Sequence, residues 1–287
     1  MNKKKLLCQL PFLLILVLGT IYIIRQQHVT PYQHDEGFVF GTIYHITYQS
    51  DENYQKEIEA ELQKVDNSLS PFNKTSIISR INRNEEVKVN DMFQEVFDMA
   101  EDISQETDGA FDITVAPMVN AWGFGFKQGK MPSKEAVDSL KAIVGFHKVK
   151  LVDGHVKKEN PNTMLDCSAI AKGYGNSDKR VPWRIGVNKP TDDSLNNSTE
   201  LQTVLNVTDK AMATSGNYRN FYYKNGKKYA HTIDPKTGYP VQHNILSATV
   251  IANTCATADA YATSFMVLGL DGAQKILAKH PDLLAYL

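Results

Sequence analysis

The sequence has few cysteines, no excess of either charge and no internal repeat. Its 287 residues include 31 basic and 32 acidic side chains, which leave a formal net charge of −1. Apart from one run at the start, the basic residues are scattered, so the chain lacks the basic stripe of a nucleic-acid-binding protein. A hydrophobic content of 42% and a charged content of 22% are ordinary for a globular protein with a sizeable core.

Three cysteines do not make a disulfide framework. Cys8 lies in an apolar run near the amino terminus, and Cys167 and Cys255 follow far along the chain. The latter two can form a disulfide if they lie close together in an oxidising compartment. We favour the interpretation that they are buried free thiols that pack as small hydrophobic side chains.

A long apolar run covers residues 6–24, after Lys3, Lys4 and Lys5 and before Arg25. As a helix it spans roughly 28 Å, close to the hydrocarbon thickness of a bilayer. The lysines predict a cytoplasmic amino terminus, with the rest of the chain across the membrane. The run ends without a small-x-small cleavage site or a cysteine to lipidate, which favours an uncleaved anchor over a cleaved signal peptide or a lipoprotein signal.

After this anchor or signal (residues 1–25), the sequence predicts a polar tether (26–35) and one domain (36–287). Amphipathic periodicity predicts helices, and runs of β-branched and aromatic residues predict strands. The predicted helices cover 54–69, 92–107, 133–144, 257–268 and 271–279, and the strands cover 38–48, 149–152, 156–158, 201–206, 229–233 and 243–252. Because these elements follow no regular βαβ rhythm, the predicted class is α+β.

Residues 107–125 form the first of four segments whose composition is more constrained than a core requires. Their small residues allow the backbone to approach a ligand closely, and their aromatic residues suit a flat ring. A turn followed by a glycine-rich loop explains the same residues.

Residues 165–174 form the second segment, in which Asp166 and a run of small residues precede Lys172. This composition suits a loop whose amides and lysine hold phosphates, although the glycine spacing is not that of a Walker loop. A buried helix start explains it equally well.

The third segment combines residues 213–218 with 231–240. The Asp-Pro-x-Thr-Gly sequence from Asp234 is turn chemistry. His231, just before it, is the nearby group with an ordinary pKa close to neutrality, and it is the candidate for proton transfer. A lone histidine is more often structural than catalytic.

Residues 255–263 form the fourth segment, an alanine-rich helix. Asp259 and Thr263 are four positions apart and share one face. Their carboxylate and hydroxyl oxygens suit Mg²⁺. The other interpretation is a buried helix whose aspartate caps a neighbouring element.

Together and in this order, the four segments resemble the FAD:protein FMN transferases of the ApbE family, from about Gly41 to Gly269. The resemblance implies a T-fold-related architecture of mixed sheets with packed helices. It implies Mg²⁺-dependent cleavage of FAD at its pyrophosphate, transfer of FMN to a threonine or serine hydroxyl of an acceptor protein, and release of AMP. The implied acceptors are membrane redox-pump subunits and extracytoplasmic flavin-carrying domains, which fits an anchor on the periplasmic face of a bacterial inner membrane.

The resemblance also implies a role for individual residues. His231 corresponds to the histidine that takes the proton from the acceptor hydroxyl. The implied FAD contacts are Phe40, Phe72, Ala110, Phe111, Asp112, Asp166 and Lys172, and the implied ligands of Mg²⁺ are the carbonyl of Ala169 and the side chains of Asp259 and Thr263.

The sequence departs from the family after Tyr174. The family continues there into a helix and a strand before the strand that corresponds to residues 182–187, whereas this chain lacks such a unit of roughly thirty residues. Residues 283–287 resemble the start of an unfinished strand. Losing a core strand exposes its neighbours, which predicts poor folding or aggregation. A degenerate gene copy, a deletion artefact and a genuine shortened variant all explain the gap.

Two further functions compete with flavin transfer. A FAD pyrophosphatase would use the same site with water as the acceptor and release FMN and AMP. A catalytically inactive flavin-binding protein would bind FAD without turnover.

Overall fold

The computed structural model describes residues 3–27, 29–39, 42–125, 131–168, 172–174, 183–190, 200–218 and 220–287. Seven helices lie in these ranges: α1 (Lys3–Gln27), α2 (Gln55–Leu69), α3 (Ile77–Asn82), α4 (Asp91–Glu106), α5 (Ala116–Ala121), α6 (Lys134–Lys141) and α7 (Cys255–Leu277). A 3-10 helix covers Phe146–Lys148.

Twelve strands lie in the same ranges. They are β1 (Tyr32–Val39), β2 (Thr42–Gln49), β3 (Val149–Val152), β4 (His155–Lys158), β5 (Lys172–Tyr174), β6 (Trp183–Asn188), β7 (Leu201–Val207), β8 (Lys210–Gly216), β9 (Phe221–Lys224), β10 (Lys227–Ala230), β11 (Ser247–Ala252) and β12 (Leu284–Tyr286). Every ladder between these strands is antiparallel. The predicted mixture of helices and strands is confirmed.

The apolar run near the amino terminus is helical, and it forms α1 with Pro11 inside it. Its large side chains are exposed, among them Phe12 at 70% and Ile15 at 68%. Within the described ranges, no helix combines the length and the hydropathy needed to cross a membrane. The membrane-spanning role of residues 6–24 therefore stays a prediction.

A hairpin follows α1, and it corrects the prediction of a single strand at 38–48. β1 pairs antiparallel with β2 from Tyr32 with Gln49 to Val39 with Thr42. β1 therefore takes up residues 32–35 of the predicted tether. Because its polar composition carries little strand signal, the backbone pairing with the more apolar β2 decides its conformation.

The central sheet has the strand order β12-β11-β8-β5, and α7 packs on it. β8 pairs with β11 from Gly216 with Ser247 to Ala211 with Ala252, which places small residues across the middle of the sheet. β5 and β8 were missed in the sequence because their small residues suggested turns or a helix start. The predicted strand at 243–252 is confirmed in its second half as β11.

The predicted helices at 54–69, 92–107 and 133–144 are confirmed as α2, α4 and α6, with α6 shorter than predicted. α4 buries Phe93, Phe97 and Ile103 at helical spacing in the main core. Asp108 and Gly109 end the helix with φ angles of 52° and 76°, as the sequence predicts. The predicted hairpin at 149–158 is confirmed as β3 and β4.

The predicted helices at 257–268 and 271–279 are the two halves of α7, which covers Cys255–Leu277 with a kink in place of a loop. At the kink, Gly269 has φ 72° and ψ −177°. This interrupts the helical hydrogen bonding, and His243 Nε2 lies 2.6 Å from the Met266 carbonyl oxygen in the preceding turn. A ring N–H donor thus connects the segment before β11 to α7 beside the kink.

Glu106 at the end of α4 ties that helix to the carboxyl-terminal part of the molecule. Its carboxylate accepts hydrogen bonds from the Tyr261 hydroxyl and from the His280 ring. Burial raises the pKa of Glu106, but these two donors outweigh it and hold the pKa below the ordinary value. These two hydrogen bonds connect the end of α4 with α7 and with the segment that follows α7, although the residues are distant in sequence.

The two cysteines after α1 are free thiols, as predicted. Cys167 is buried, and burial raises its pKa to about 12. Cys255 is half-buried at the start of α7, so the predicted burial is confirmed for Cys167 and only in part for Cys255.

Candidate active site

A cavity of about 320 Å³ lies where the segment between α4 and α5, the end of β8, the segment after β10 and the first half of α7 meet. Its lining includes apolar residues from the α5 region and α7, and polar residues from all four elements. The lining includes Ala110, Phe111, Asp112, Asp166, Ser168, Ser215, His231, Asp259 and Thr263.

The segment between α4 and α5 is held by Asp112, which is 7% exposed. Asp112 Oδ1 accepts from the Thr114 amide at 2.8 Å and from the Thr114 hydroxyl at 2.7 Å, and Oδ2 accepts from the Phe146 amide at 2.9 Å. Burial raises the pKa of Asp112, and these hydrogen bonds oppose part of the effect. The carboxylate thus ties this segment to the 3-10 helix at Phe146.

Asp166 and Ser168 form a second wall in a tight turn. Asp166 Oδ1 accepts from the Ser168 amide at 2.8 Å and from the Ser168 hydroxyl. The Asp166 amide donates to the Ile113 carbonyl at 2.7 Å, which attaches this turn to the Asp112 segment. Asn82 also pairs with both backbone groups of Leu165. The acidic side chain is therefore presented from a rigid backbone.

His231 follows β10 directly and lines the cavity. Its amide donates to the Asn220 carbonyl at 3.1 Å, and the Phe124 ring lies edge-on to the imidazole with 6.5 Å between centroids. Nδ1 is buried without a hydrogen-bond partner among the described residues. Burial lowers the pKa of His231, and the Asn220 carbonyl counteracts part of the shift, so the imidazole is neutral at neutral pH.

The residues beside His231 hold it against the central sheet. The Thr232 hydroxyl donates to Asn217 Oδ1 at 2.6 Å, just beyond the end of β8. The following Asp-Pro-x-Thr-Gly sequence forms the predicted turn, in which the Gly238 amide donates to the Asp234 carbonyl at 2.8 Å. The Trp122 indole closes the turn by donating to the Gly238 carbonyl at 2.7 Å.

Oxygen ligands line the side of the cavity formed by α7 and β8. Asp259 and Thr263 lie one turn apart on α7, and the Ser215 hydroxyl on β8 is 3.1 Å from Thr263 Oγ1. No cluster of three His, Cys, Asp or Glu side chains occurs in the described ranges. One carboxylate with two hydroxyls is nevertheless a donor set that suits a hard cation such as Mg²⁺.

Seven of the predicted site residues line this one cavity: Ala110, Phe111, Asp112, Asp166, His231, Asp259 and Thr263. Phe72 does not line it, and its side chain is 57% exposed after α2. Phe40 and Ala169 lie outside the described residues, as does the side chain of Lys172 in β5.

Ser215 and Ser168 line the cavity without having been assigned a role from the sequence. Both belong to segments that the sequence marks as unusual. For Ser215 the missing signal was the β8–β11 pairing, which makes residues 213–216 part of a strand that packs on α7 instead of a turn.

A second, apolar cavity of about 180 Å³ lies under α2 and α4. Phe111 and Ile113 line both cavities, and the other walls include Met92, Met99 and Cys167. Phe111 and Ile113 thus belong to the walls of both the active-site cavity and this apolar space.

The sequence matches the model of the ApbE family over residues 40–179 and 174–287. The two matched segments meet beside the position at which the sequence analysis predicts the gap. The chain is 35% identical to the FAD:protein FMN transferase of Haemophilus influenzae, over 88% of this chain and 84% of that protein. It is 31% identical to the FAD:protein FMN transferase of Escherichia coli K12, over 88% and 83%.

Solved structures show the same relationship. The flavin transferase ApbE from Vibrio cholerae aligns with a TM-score of 0.78 at 29% identity, over 90% of this chain and 93% of that chain. The apo form of the Pseudomonas stutzeri flavinyl transferase ApbE aligns with a TM-score of 0.77 at 26% identity, over 90% and 91%. This chain has the ApbE-like fold, and it belongs to the ApbE family.

Proposed function

We propose that this protein transfers FMN from FAD to a threonine or serine hydroxyl of an acceptor protein and releases AMP. The observation that carries the proposal is the meeting, in one cavity, of a buried neutral histidine with the oxygen ligands Asp259, Thr263 and Ser215. Transfer of a phosphoryl-linked group needs a base for the nucleophile and charge stabilisation for the leaving group. The names of the related transferases support this reaction.

The reaction forms one P–O bond and breaks another. The acceptor hydroxyl oxygen attacks the phosphorus of the FMN half, and the bond from that phosphorus to the bridging oxygen of the pyrophosphate breaks. The AMP half leaves with the bridging oxygen. His231 takes the proton of the attacking hydroxyl, for which its neutral imidazole is suited.

Asp259 and Thr263 are the described side chains that would hold Mg²⁺, together with the predicted carbonyl of Ala169. When bound there, Mg²⁺ neutralises the charge that develops on the leaving phosphate. Ser215 orients Thr263 through the 3.1 Å contact between their hydroxyls. The donors sit on α7 and β8, two elements of the central core, so their spacing is set by packing.

The walls around Ala110 and Phe111 would receive the flavin ring. Both residues are almost fully buried, and their amides donate to the carbonyl and the hydroxyl of Thr107, each at 3.2 Å. Asp166 would contact FAD from the adjoining turn. Phe40, Phe72 and Lys172 stay predicted contacts.

We also propose that α1 anchors the protein in a bacterial inner membrane, with the flavin site on the periplasmic face. The three lysines before the apolar run favour this orientation. The exposed apolar side chains of α1 would be buried by lipid. Membrane redox-pump subunits and extracytoplasmic flavin-carrying domains are the proposed acceptors.

The test uses the full-length protein in detergent with FAD, Mg²⁺ and a flavin-acceptor domain that carries a target threonine. Products are separated on a denaturing gel and examined for covalent flavin fluorescence. A fluorescent acceptor band that disappears with His231→Ala and with Asp259→Ala is expected. Omission of Mg²⁺ should also abolish the band.

Two other outcomes would each replace the proposal. AMP release without a fluorescent acceptor would indicate a FAD pyrophosphatase. FAD binding without release of AMP would indicate an inactive flavin-binding protein. If the wild-type chain aggregates and shows no activity, the predicted gap after Tyr174 would be the cause of the lost activity.

A further inference from the structure

The hairpin of β9 and β10 leads directly into His231 and carries a concentrated positive charge. Lys224, Lys227 and Lys228 lie at or near its tip, and residues 220–232 contain no acidic side chain. The chain as a whole has a net charge of −1, so this concentration is not a property of its general composition. A local excess of one sign indicates a surface for a partner of the opposite sign.

One face of the hairpin is fixed to the wall of the active site by aromatic stacking. Tyr222 and Tyr229 are cross-strand partners, with ring centroids 5.5 Å apart. Tyr222 stacks on Phe124 at 5.3 Å, and Tyr229 stacks on Trp122 at 5.6 Å. Since Phe124 also contacts His231, the base of the hairpin and the catalytic imidazole share one rigid support.

Lys224 and Lys227 extend the same face beyond this support. They are also cross-strand partners, and their position two residues from the tyrosines places them on the same side of the hairpin. Both residues are exposed, and Asn225 and Gly226 close the turn with φ angles of 51° and 74°. The lysines therefore lie at the tip of a hairpin whose base is packed against the wall of the cavity.

We propose that this hairpin docks an acidic segment of the acceptor protein and so delivers the acceptor hydroxyl to His231. The inference rests on the proposed flavin transfer and adds the surface that recognises the acceptor. From Lys227 to His231 the chain advances four residues, or about 13 Å in an extended strand. An extended acceptor segment running beside the hairpin would therefore place its acidic residues about four positions from the modified threonine.

The chain offers a matched control on its other lysine-bearing hairpin. Lys150 and Lys157 are exposed cross-strand partners in β3 and β4, and neither lines the active-site cavity. The double variants K224E/K227E and K150E/K157E thus make the same chemical change at an exposed cross-strand lysine pair of each hairpin. Unchanged FAD binding in both variants shows that the active site is intact.

The probes are three fluorescently labelled peptides with one central threonine. Two carry three aspartates centred four residues before or after the threonine, and the third has asparagine at all these positions. Binding to the full-length protein in uncharged detergent is measured by anisotropy. We expect wild type and K150E/K157E to bind one aspartate peptide at least about tenfold more tightly than the asparagine peptide, and K224E/K227E to lose this preference.

Equal binding of all peptides by wild type would overturn the proposal, as would an equal loss in both variants. Vesicles containing phosphatidylglycerol test the competing partner: loss of vesicle binding by K224E/K227E with an unchanged peptide preference would make the hairpin a lipid-binding surface and overturn the proposal. Flavin transfer without a peptide preference would refute the proposed docking surface and support the proposed transferase activity. A peptide preference without flavin transfer would support the docking surface and refute the proposed transferase activity.

Discussion

At the scale of single residues, burial shifts the pKa values of two of the titratable groups that line the cavity in opposite directions. It lowers the pKa of His231 and raises that of Asp112. Both shifts disfavour charge, which is the signature of a poorly solvated site. In such a site, fixed hydrogen-bond donors and a bound cation act on a phosphate more strongly than they would in water.

The lowered pKa of His231 predicts the acid limb of the pH profile. Transfer requires the neutral imidazole, so kcat/KM should fall only when the pH drops below the ordinary histidine value of 6.5. The profile is measured with saturating Mg²⁺ for wild type and for His231→Gln, in which this limb should be absent. A midpoint above 6.5 in wild type would contradict the assignment.

The same shift has a consequence for stability. Above pH 6.5 the histidine is neutral in both the folded and the unfolded chain and contributes nothing. As the pH falls below 6.5 the unfolded chain binds the proton first, so the free energy of unfolding decreases towards the lowered pKa.

At the scale of elements, Glu106 joins α4 to α7 and to the segment that precedes β12. Glu106→Gln keeps the shape but replaces the charged acceptor that receives Tyr261 and His280. We expect the free energy of unfolding to fall by about 1–2 kcal/mol at pH 7, measured by urea denaturation. Glu101→Gln, an exposed position on the same helix, should change it by less than about 0.5 kcal/mol.

The pH dependence of this connection has a definite sign. Because the folded pKa of Glu106 is depressed, the stabilisation is complete above the ordinary value of 4.5 and is lost as the pH falls through the lower folded value. The difference between wild type and Glu106→Gln should therefore shrink at low pH. A difference that grows on acidification would contradict the assigned hydrogen bonds.

The kink in α7 depends on a backbone conformation that is nearly exclusive to glycine. Gly269 has φ 72° and ψ −177°, whereas a Cβ at this position would meet its nearest neighbour, the His243 ring, at an ordinary 3.7 Å. Gly269→Ala should therefore cost about 1–3 kcal/mol through backbone strain and not through a clash. Denaturation of this variant is compared with Gly19→Ala in α1, where an added methyl group meets nothing within 4 Å; an equal effect in both would exclude strain at residue 269.

At the scale of the whole molecule, the membrane anchor is the prediction with the clearest readout. Leu14→Arg combined with Leu18→Arg places two charges in the apolar run. Each raises the free energy of membrane insertion by about 2.5–3.5 kcal/mol when it lies at the bilayer centre. Alkaline carbonate should then release the protein from membranes that retain wild type. Val29→Arg with Tyr32→Arg, just beyond α1, should leave it bound, and retention of both variants would argue against insertion of α1.

The sequence predicts the parts of this molecule whose signals are local. The helical periodicity of α2 and α4, the Asp153-Gly154 turn and the end of α4 at Gly109 all follow from neighbouring residues. β5 and β8 were missed because their small residues acquire a strand conformation through pairing with distant segments. Long-range pairing also brings Ser215 to Thr263, so its place in the site is visible only in the folded chain.

Seven of the site residues implied by the family resemblance meet around one cavity, since the order of the four segments carries more information than any one of them. The resemblance does not reveal that both carboxylate oxygens of Asp112 accept hydrogen bonds, from Thr114 and from the Phe146 amide. That detail depends on the position of the 3-10 helix, which the local sequence pattern does not indicate.

Because Phe111 lines both cavities, its side chain has room to move, and one wall of the active site is therefore deformable. In a close-packed interior a side chain is difficult to displace, because the neighbouring atoms leave no free volume for it. Behind Phe111, however, the apolar cavity under α2 and α4 provides free volume of a matching character. In the proposed arrangement, with the flavin ring against Phe111, an analogue with a bulkier ring edge should therefore displace the phenyl group instead of being rejected. The oxygen donors on α7 would stay fixed, so the tolerance would be confined to the ring end of FAD.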